Sequence, residues 1–183
     1  MIKIIKLNYI ENYSLVTTHS MRNLILFFTF SLFLNPTFIN AQSNNNDTII
    51  CGSTWPADEK LLIDYISKNH QYKYIIAPHE MNRNSYLQNK TKGTLYSNAT
   101  EENIRDSRVL IIDNIGNLSK IYKYGTLAYI GGGFSSGIHN IMEPAVASNP
   151  VIFGPKHQKF SEAELILKLG GGFCVSDSNT VES

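Results

Sequence analysis

From Thr48 onward the chain alternates between short apolar runs and longer stretches in which apolar residues recur every three or four positions. The runs are TIICGS (48–53), YKYIIAP (72–78), RVLIIDN (108–114), LAYIGGG (127–133), PVIFGP (150–155) and GGFCVS (171–176). Each is rich in Ile, Val or aromatic residues and most close on Gly, Pro, Ser or Asn, as strands buried on both faces do. The stretches between them predict helices over 57–69, 80–90, 117–124, 139–148 and 158–169, with a short helical turn over 100–107. Strand and helix alternating at this spacing predict an α/β domain, a doubly wound, mostly parallel sheet with helices on both faces. In such a sheet the crossovers are right-handed and ligands bind outside the carboxyl ends of the strands.

The first fifty residues follow a different pattern. Residues 1–20 carry no assignable signal. Met21 opens MRNLILFFTFSLFLNPTFINAQ, with one cation at Arg22, an apolar run from Leu24 to Leu34 and small or polar residues around Ala41. Over 21–42 this is the layout of a secretory signal peptide. The uninterrupted run is shorter than the roughly 20 residues a membrane-spanning helix needs. A polar linker over 43–47 separates it from the domain expected over 48–183.

Composition narrows the classes of partner. The formal net charge is +1, so there is no electrostatic footprint for nucleic acid. Two cysteines, Cys51 and Cys174, are too few for a disulfide framework, and their apolar surroundings suggest small buried hydrophobes. The five histidines do not pair at metal-ligand spacings, so neither a metal nor another cofactor is expected. No nucleophile motif such as GxSxG is present.

The chemistry gathers at predicted strand ends. The densest stretch is YIGGGFSSGIHNIMEPAVASNPVIFGP (129–155), where a strand runs through Gly131, Gly132 and Gly133 toward a helix expected to start near Gly137–His139. Glycines allow close backbone approach, and amides at a helix start favour an anion such as phosphate. His139, Asn140 and Glu143 would then share one helix face, with Glu143 placed to accept ribose hydroxyls. The same glycines also suit a tight strand–helix turn without a ligand. A second group is IIAPHEMNR (75–83), where Pro78, His79, Glu80 and Arg83 emerge from a strand as ligand contacts or as a helix cap. A third is IIDNIGNLSKIYKYG (111–125), where backbone groups of Ile115, Gly116 and Asn117 either read a base edge or simply turn the chain. Lys156, His157 and Lys159 form a small basic group that reads best as a solvated helix entrance.

In this order these segments resemble the carboxyl-terminal domain of the 3-deoxy-D-manno-octulosonic acid (Kdo) transferases of lipid A biosynthesis. The words that carry the resemblance are CGSTWPADE, IIAPHE, VLIIDNIGNLSKIYKYGTLAYIGGGF, GIHNIMEPAVASNPVIFGP and HQKFSEA, spanning about residues 50 to 176. The resemblance implies the Rossmann-like carboxyl-terminal half of a GT-B glycosyltransferase. It implies CMP-Kdo as donor, a lipid A precursor as acceptor and the cytoplasmic face of the inner membrane as the place of work, with no metal required. The family's CMP contacts map onto Pro78 and His79, onto Ile115, Gly116 and Asn117, and onto the Asn-x-x-Glu word of Asn140, Ile141, Met142 and Glu143. Gly133 and His139 complete the candidate substrate-binding set.

Three positions depart from the family pattern. His79 stands where many members carry Arg, Asn117 where many carry Glu, and Pro144 follows Glu143 inside the expected helix. The family's catalytic base, a Glu, belongs to an amino-terminal domain to which residues 1–47 bear no likeness, so no catalytic residue is assigned. The expectation is a donor-binding fragment of the transferase. The alternative is an exported nucleotide- or sugar-binding module without transferase activity, as the signal-like segment suggests.

Overall fold

The computed structural model describes residues 47–176. The signal-like segment, the start of the linker and the last seven residues lie outside the described residues. β1 (Thr48–Thr54) leads into α1 (Pro56–Lys68) and β2 (Lys73–Pro78). A 3-10 turn, Met81–Arg83, runs into α2 (Asn84–Thr91). β3 (Thr94–Leu95), the 3-10 turn Tyr96–Asn98, α3 (Glu101–Asp106) and β4 (Val109–Ile111) follow. Next come α4 (Leu118–Ile121), its 3-10 extension Tyr122–Tyr124 and β5 (Leu127–Ile130). α5 (Met142–Val146), β6 (Val151–Phe153), α6 (Ser161–Lys168) and β7 (Gly172–Cys174) close the domain.

The seven strands form one parallel sheet in the order β3-β4-β2-β1-β5-β6-β7. The six apolar runs supply six of the strands. β3, only two residues long, went unpredicted because Thr94 and Leu95 carry no apolar run of their own. β5 shows why the runs lack alternation: all four of its residues are buried. Successive side chains point to opposite faces. Ala128 and Ile130 therefore join Ile50, Val151, Phe153, Tyr122, Ile138, Ile141 and Ala163 in a cluster on one face. Tyr129 instead reaches α1 on the other, its hydroxyl 2.7 Å from Asp58. Helices cover both faces, as the doubly wound pattern requires.

Local chemistry sets the helix limits. Pro56 occupies the first position of α1, where its missing N–H costs nothing. Asp58 accepts the Trp55 amide at 2.9 Å, closing the turn. Thr100 and Asn103 cap α3 reciprocally, at 3.2 and 2.8 Å. Cys51 is buried at the middle of β1, whereas Cys174, expected to be buried, is exposed because β7 is an edge strand.

Candidate functional site

Strand order reverses at β1, with β2 on one side and β5 on the other, so the crevice between their carboxyl ends is the place for a ligand. β1 ends irregularly. Ser53 takes a left-handed φ of 52°, and the register with β2 shifts between Gly52 and Thr54. The chain thereby turns to place Trp55 at the head of α1. Asp58, with no solvent exposure, fixes this corner. Its Oδ2 accepts the amides of Trp55 (2.9 Å) and Gly132 (2.8 Å), and its Oδ1 accepts the Tyr129 hydroxyl (2.7 Å). Three donors and a helix N-terminus stabilise the buried carboxylate. Burial, and then the neighbouring Asp58, push the Tyr129 phenol far above its usual range, so it stays a donor.

Three rings meet above this corner. The Trp55 indole Nε1–H donates to His139 Nε2 at 2.7 Å, and the two ring planes are nearly parallel, 12° apart with centroids 6.1 Å apart. The exposed His79 lies across this pair, 4.3 Å from the Trp55 ring and 4.6 Å from the His139 ring. Its amide donates to the Thr54 carbonyl (2.9 Å), and the buried Pro78 pairs with Thr54, so β2 delivers His79 to the end of β1. Burial, and then His79, lower the His139 pKa from 6.5, with Asp58 opposing.

The glycine turn is built for backbone packing. A methyl group at Gly131 would collide with the Ser53 carbonyl, and one at Gly133 would lie 2.5 Å from the Gly154 nitrogen. Gly132, at φ +95°, gives its amide to Asp58, and its carbonyl accepts the amides of Ser135 (2.9 Å) and Gly137 (3.0 Å). The helix predicted over 139–148 begins only at Met142. Ile138 and Ile141, two of the core cluster's residues, pin the intervening backbone in a non-helical path. His139 and Asn140 therefore do not share a helix face with Glu143. Asn140 meets Glu143 another way: its Oδ1 accepts the Met142 amide (3.0 Å) and its Nδ2 donates to Glu143 Oε1 (3.1 Å). Pro144 sits within the first turn, where a proline is tolerated.

The remaining candidates are spread along the same edge of the sheet. Ile115, 89% exposed, and Gly116, at φ +91°, occupy the loop after β4, beyond β2, where Asn117 donates to Asn114 Oδ1 at 2.9 Å. Among the described contacts none joins this loop to His79, His139 or Glu143. Arg83 turns inward to pair with the buried Glu59 at 2.7 Å. Lys156 and Lys159 are exposed, and Lys156 Nζ donates to the Ser135 carbonyl (2.6 Å). His157 departs from the expected solvated group: it is buried, 5.2 Å from the Phe153 ring and 3.1 Å from Glu164 Oε1. A cleft of about 280 Å³ opens beside His139, lined by Ile138, Asn140, Ile141, Phe160 and Glu162. No cluster of three or more His, Cys, Asp or Glu able to hold a metal occurs among the described residues.

Sequence reasoning overlooked Trp55 and Asp58. The signal was present: the sole tryptophan of the chain stands beside a helix-opening proline, with an acid three residues on. Their link to His139 and Gly132 spans more than seventy residues, and nothing local announces it.

An all-parallel, doubly wound sheet with a ring-lined crevice at its switch point defines a Rossmann-like α/β domain. The relatives make the assignment more particular. No family model matches the sequence. The chain is 28% identical over 129 residues to the 3-deoxy-D-manno-octulosonic acid transferase of Rickettsia felis, covering 66% of this chain and 28% of that protein. It is 29% identical over 150 residues to the enzyme of the same name from Chlamydophila psittaci, covering 76% and 34%. For that of Aquifex aeolicus the figures are 28% identity over 135 residues, covering 70% and 38%. The chain thus spans about a third of the length of these curated relatives. Among solved structures, the C-terminal CMP-Kdo binding domain of WaaA from Acinetobacter baumannii shares the fold, with a TM-score of 0.59 at 18% identity. That match covers 88% of this chain and 84% of the other. The sequence relationship is to the Kdo transferases, and the fold is that of their carboxyl-terminal domain.

Proposed function

We propose that residues 48–176 are the donor-binding half of a glycosyltransferase that takes Kdo from CMP-Kdo and passes it to a lipid A precursor. The observation that carries this reading is the coincidence of two independent results. The relatives are named Kdo transferases and the fold matches a CMP-Kdo binding domain. At the switch point of that fold, the His79 and His139 rings lie 4.6 Å apart, with Asn140 beside His139 bonded to Glu143 in the first turn of α5.

On this reading His79 faces the nucleotide phosphate. It is a weaker and more pH-dependent partner than arginine. Glu143, oriented by Asn140, accepts ribose hydroxyls, and the loop over Ile115, Gly116 and Asn117 meets the base. The general base and the acceptor site come from outside residues 48–176. Transfer then needs that second half at the inner membrane face, because a base acts only within hydrogen-bond reach of the hydroxyl it deprotonates. No helix among the described residues is long and apolar enough to cross a membrane.

Calorimetric titration of the full chain with CMP, against UMP, ADP and NAD, tests the reading. CMP-selective binding that weakens about tenfold in Glu143→Ala is expected, the scale of a charge-assisted hydrogen bond. A folded chain that ignores CMP would sink it.

A further inference from the structure

Trp55 is none of the proposed nucleotide contacts, yet among the described residues it alone makes a side-chain hydrogen bond to the His139 ring. An indole nitrogen can only donate. Nε2 of His139 must therefore present its lone pair to Trp55, and the neutral ring carries its proton on Nδ1. Protonating Nε2 would set two N–H groups against each other at 2.7 Å. The lowered pKa of His139, caused first by burial and then by His79, acts in the same direction. The Cδ2 edge of the ring lies against Gly132, so the Nδ1 edge faces away from the glycine turn. Among the described residues nothing hydrogen-bonds Nδ1.

His139 also lines the cleft of about 280 Å³, whose other walls are Glu162, Asn140 and the apolar Ile138, Ile141 and Phe160. The titratable groups around the ring are His79 from the end of β2, Asp58 from α1 and Glu162 from α6. An anion placed in this cleft would meet Glu162 with no positive charge from His139 to offset it. A polyol would find the neutral His139 ring, the polar residues Asn140 and Glu162 and apolar surface for its C–H groups.

We propose that Trp55 is a positioning residue that locks His139 as a neutral Nδ1–H donor, and that the cleft beside it takes the hydroxyl-bearing end of the donor's sugar rather than its anionic groups. The second clause rests on the donor-domain reading; the first does not.

Nitrogen NMR of the histidine rings in the full chain tests the first. His139 is expected as the Nδ1–H tautomer, titrating below 6.5. In Trp55→Phe, which keeps a ring against His79 but has no N–H, the tautomers mix and the midpoint rises. An Nε2–H tautomer in the unaltered chain, or a ratio that Trp55→Phe leaves untouched, overturns the lock.

Calorimetry with CMP-Kdo and CMP tests the second. His139→Leu is expected to weaken CMP-Kdo about 5- to 10-fold more than CMP, the scale of one buried hydrogen bond. His139→Asn, whose amide N–H stands where Nδ1–H stood, recovers most of the loss. Equal losses for the two ligands overturn the sugar assignment. Absence of CMP binding by the unaltered chain removes the donor reading and the sugar assignment together, while the tautomer result still decides the role of Trp55.

Discussion

Glu59 has no solvent exposure, and Arg83 reaches it through both Nε (2.9 Å) and a terminal nitrogen (2.7 Å). Burial raises the Glu59 pKa despite the guanidinium beside it. Arg83→Met would strand the carboxylate and is expected to destabilise the fold by about 3 kcal/mol at neutral pH, as measured by urea unfolding. The sign of the pH dependence follows from the raised pKa. The folded state of the variant holds a proton on Glu59 more readily than the unfolded chain does. Its deficit relative to the unaltered chain therefore shrinks as pH falls through the raised pKa. His139 behaves oppositely to a salt-bridged histidine. With its folded pKa lowered, its contribution is complete above about 6.5 and declines as pH falls below that value. The stability gap between the unaltered chain and His139→Asn should narrow from pH 7 to pH 5; a gap constant across that window would contradict the neutral ring. At this scale the sequence was readable where motifs are local. His79, Asn140 and Glu143 stand in short words, whereas the links of Trp55 to His139 and of Asp58 to Tyr129 and Gly132 exist only once β1 and β5 are paired.

Among the connecting elements, the glycine turn separates two kinds of constraint. Gly133 faces the backbone of Gly154 at 2.5 Å, with no flexible side chain to move aside. Gly116 has open space around it and only its φ of +91° to defend. Gly133→Ala should therefore cost upwards of about 2 kcal/mol by overpacking, and Gly116→Ala only about 1 kcal/mol of backbone strain. Thermal or urea unfolding of the two variants checks the order; a reversal would mean that the turn relaxes more easily than its neighbours suggest. The six apolar strands and the helix in each crossover were legible because burial on both faces writes continuous apolar runs. The helix limits were less so. Helical periodicity over 139–148 counts Ile141 in a plausible apolar stripe, but the core takes Ile141, with Ile138 before it, from the stretch ahead of the helix and leaves only Met142–Val146 helical.

For the whole molecule, the parallel order makes one strand the hub: β1 is hydrogen-bonded to both β2 and β5, and its carboxyl end carries Ser53, Thr54 and Trp55 into the crevice. The fold class followed from pattern alone, while the proposed ligand rests on the family words, since many chemistries share this sheet. The same hub gives the chain a built-in clock. Cys51 lies sealed in β1, its thiol pushed up to about 12 by burial, while Cys174 is exposed on the outermost strand. These are the only two thiols in the sequence. A thiol-directed mass tag should modify Cys174 directly, and reach Cys51 only when the central strand parts from its neighbours. The second tagging step then times global opening, since core strands exchange with solvent only through near-complete unfolding. A nucleotide that binds the folded state should lengthen that interval by the factor 1 + [L]/Kd, so the protein carries its own reporter of whatever fills the crevice.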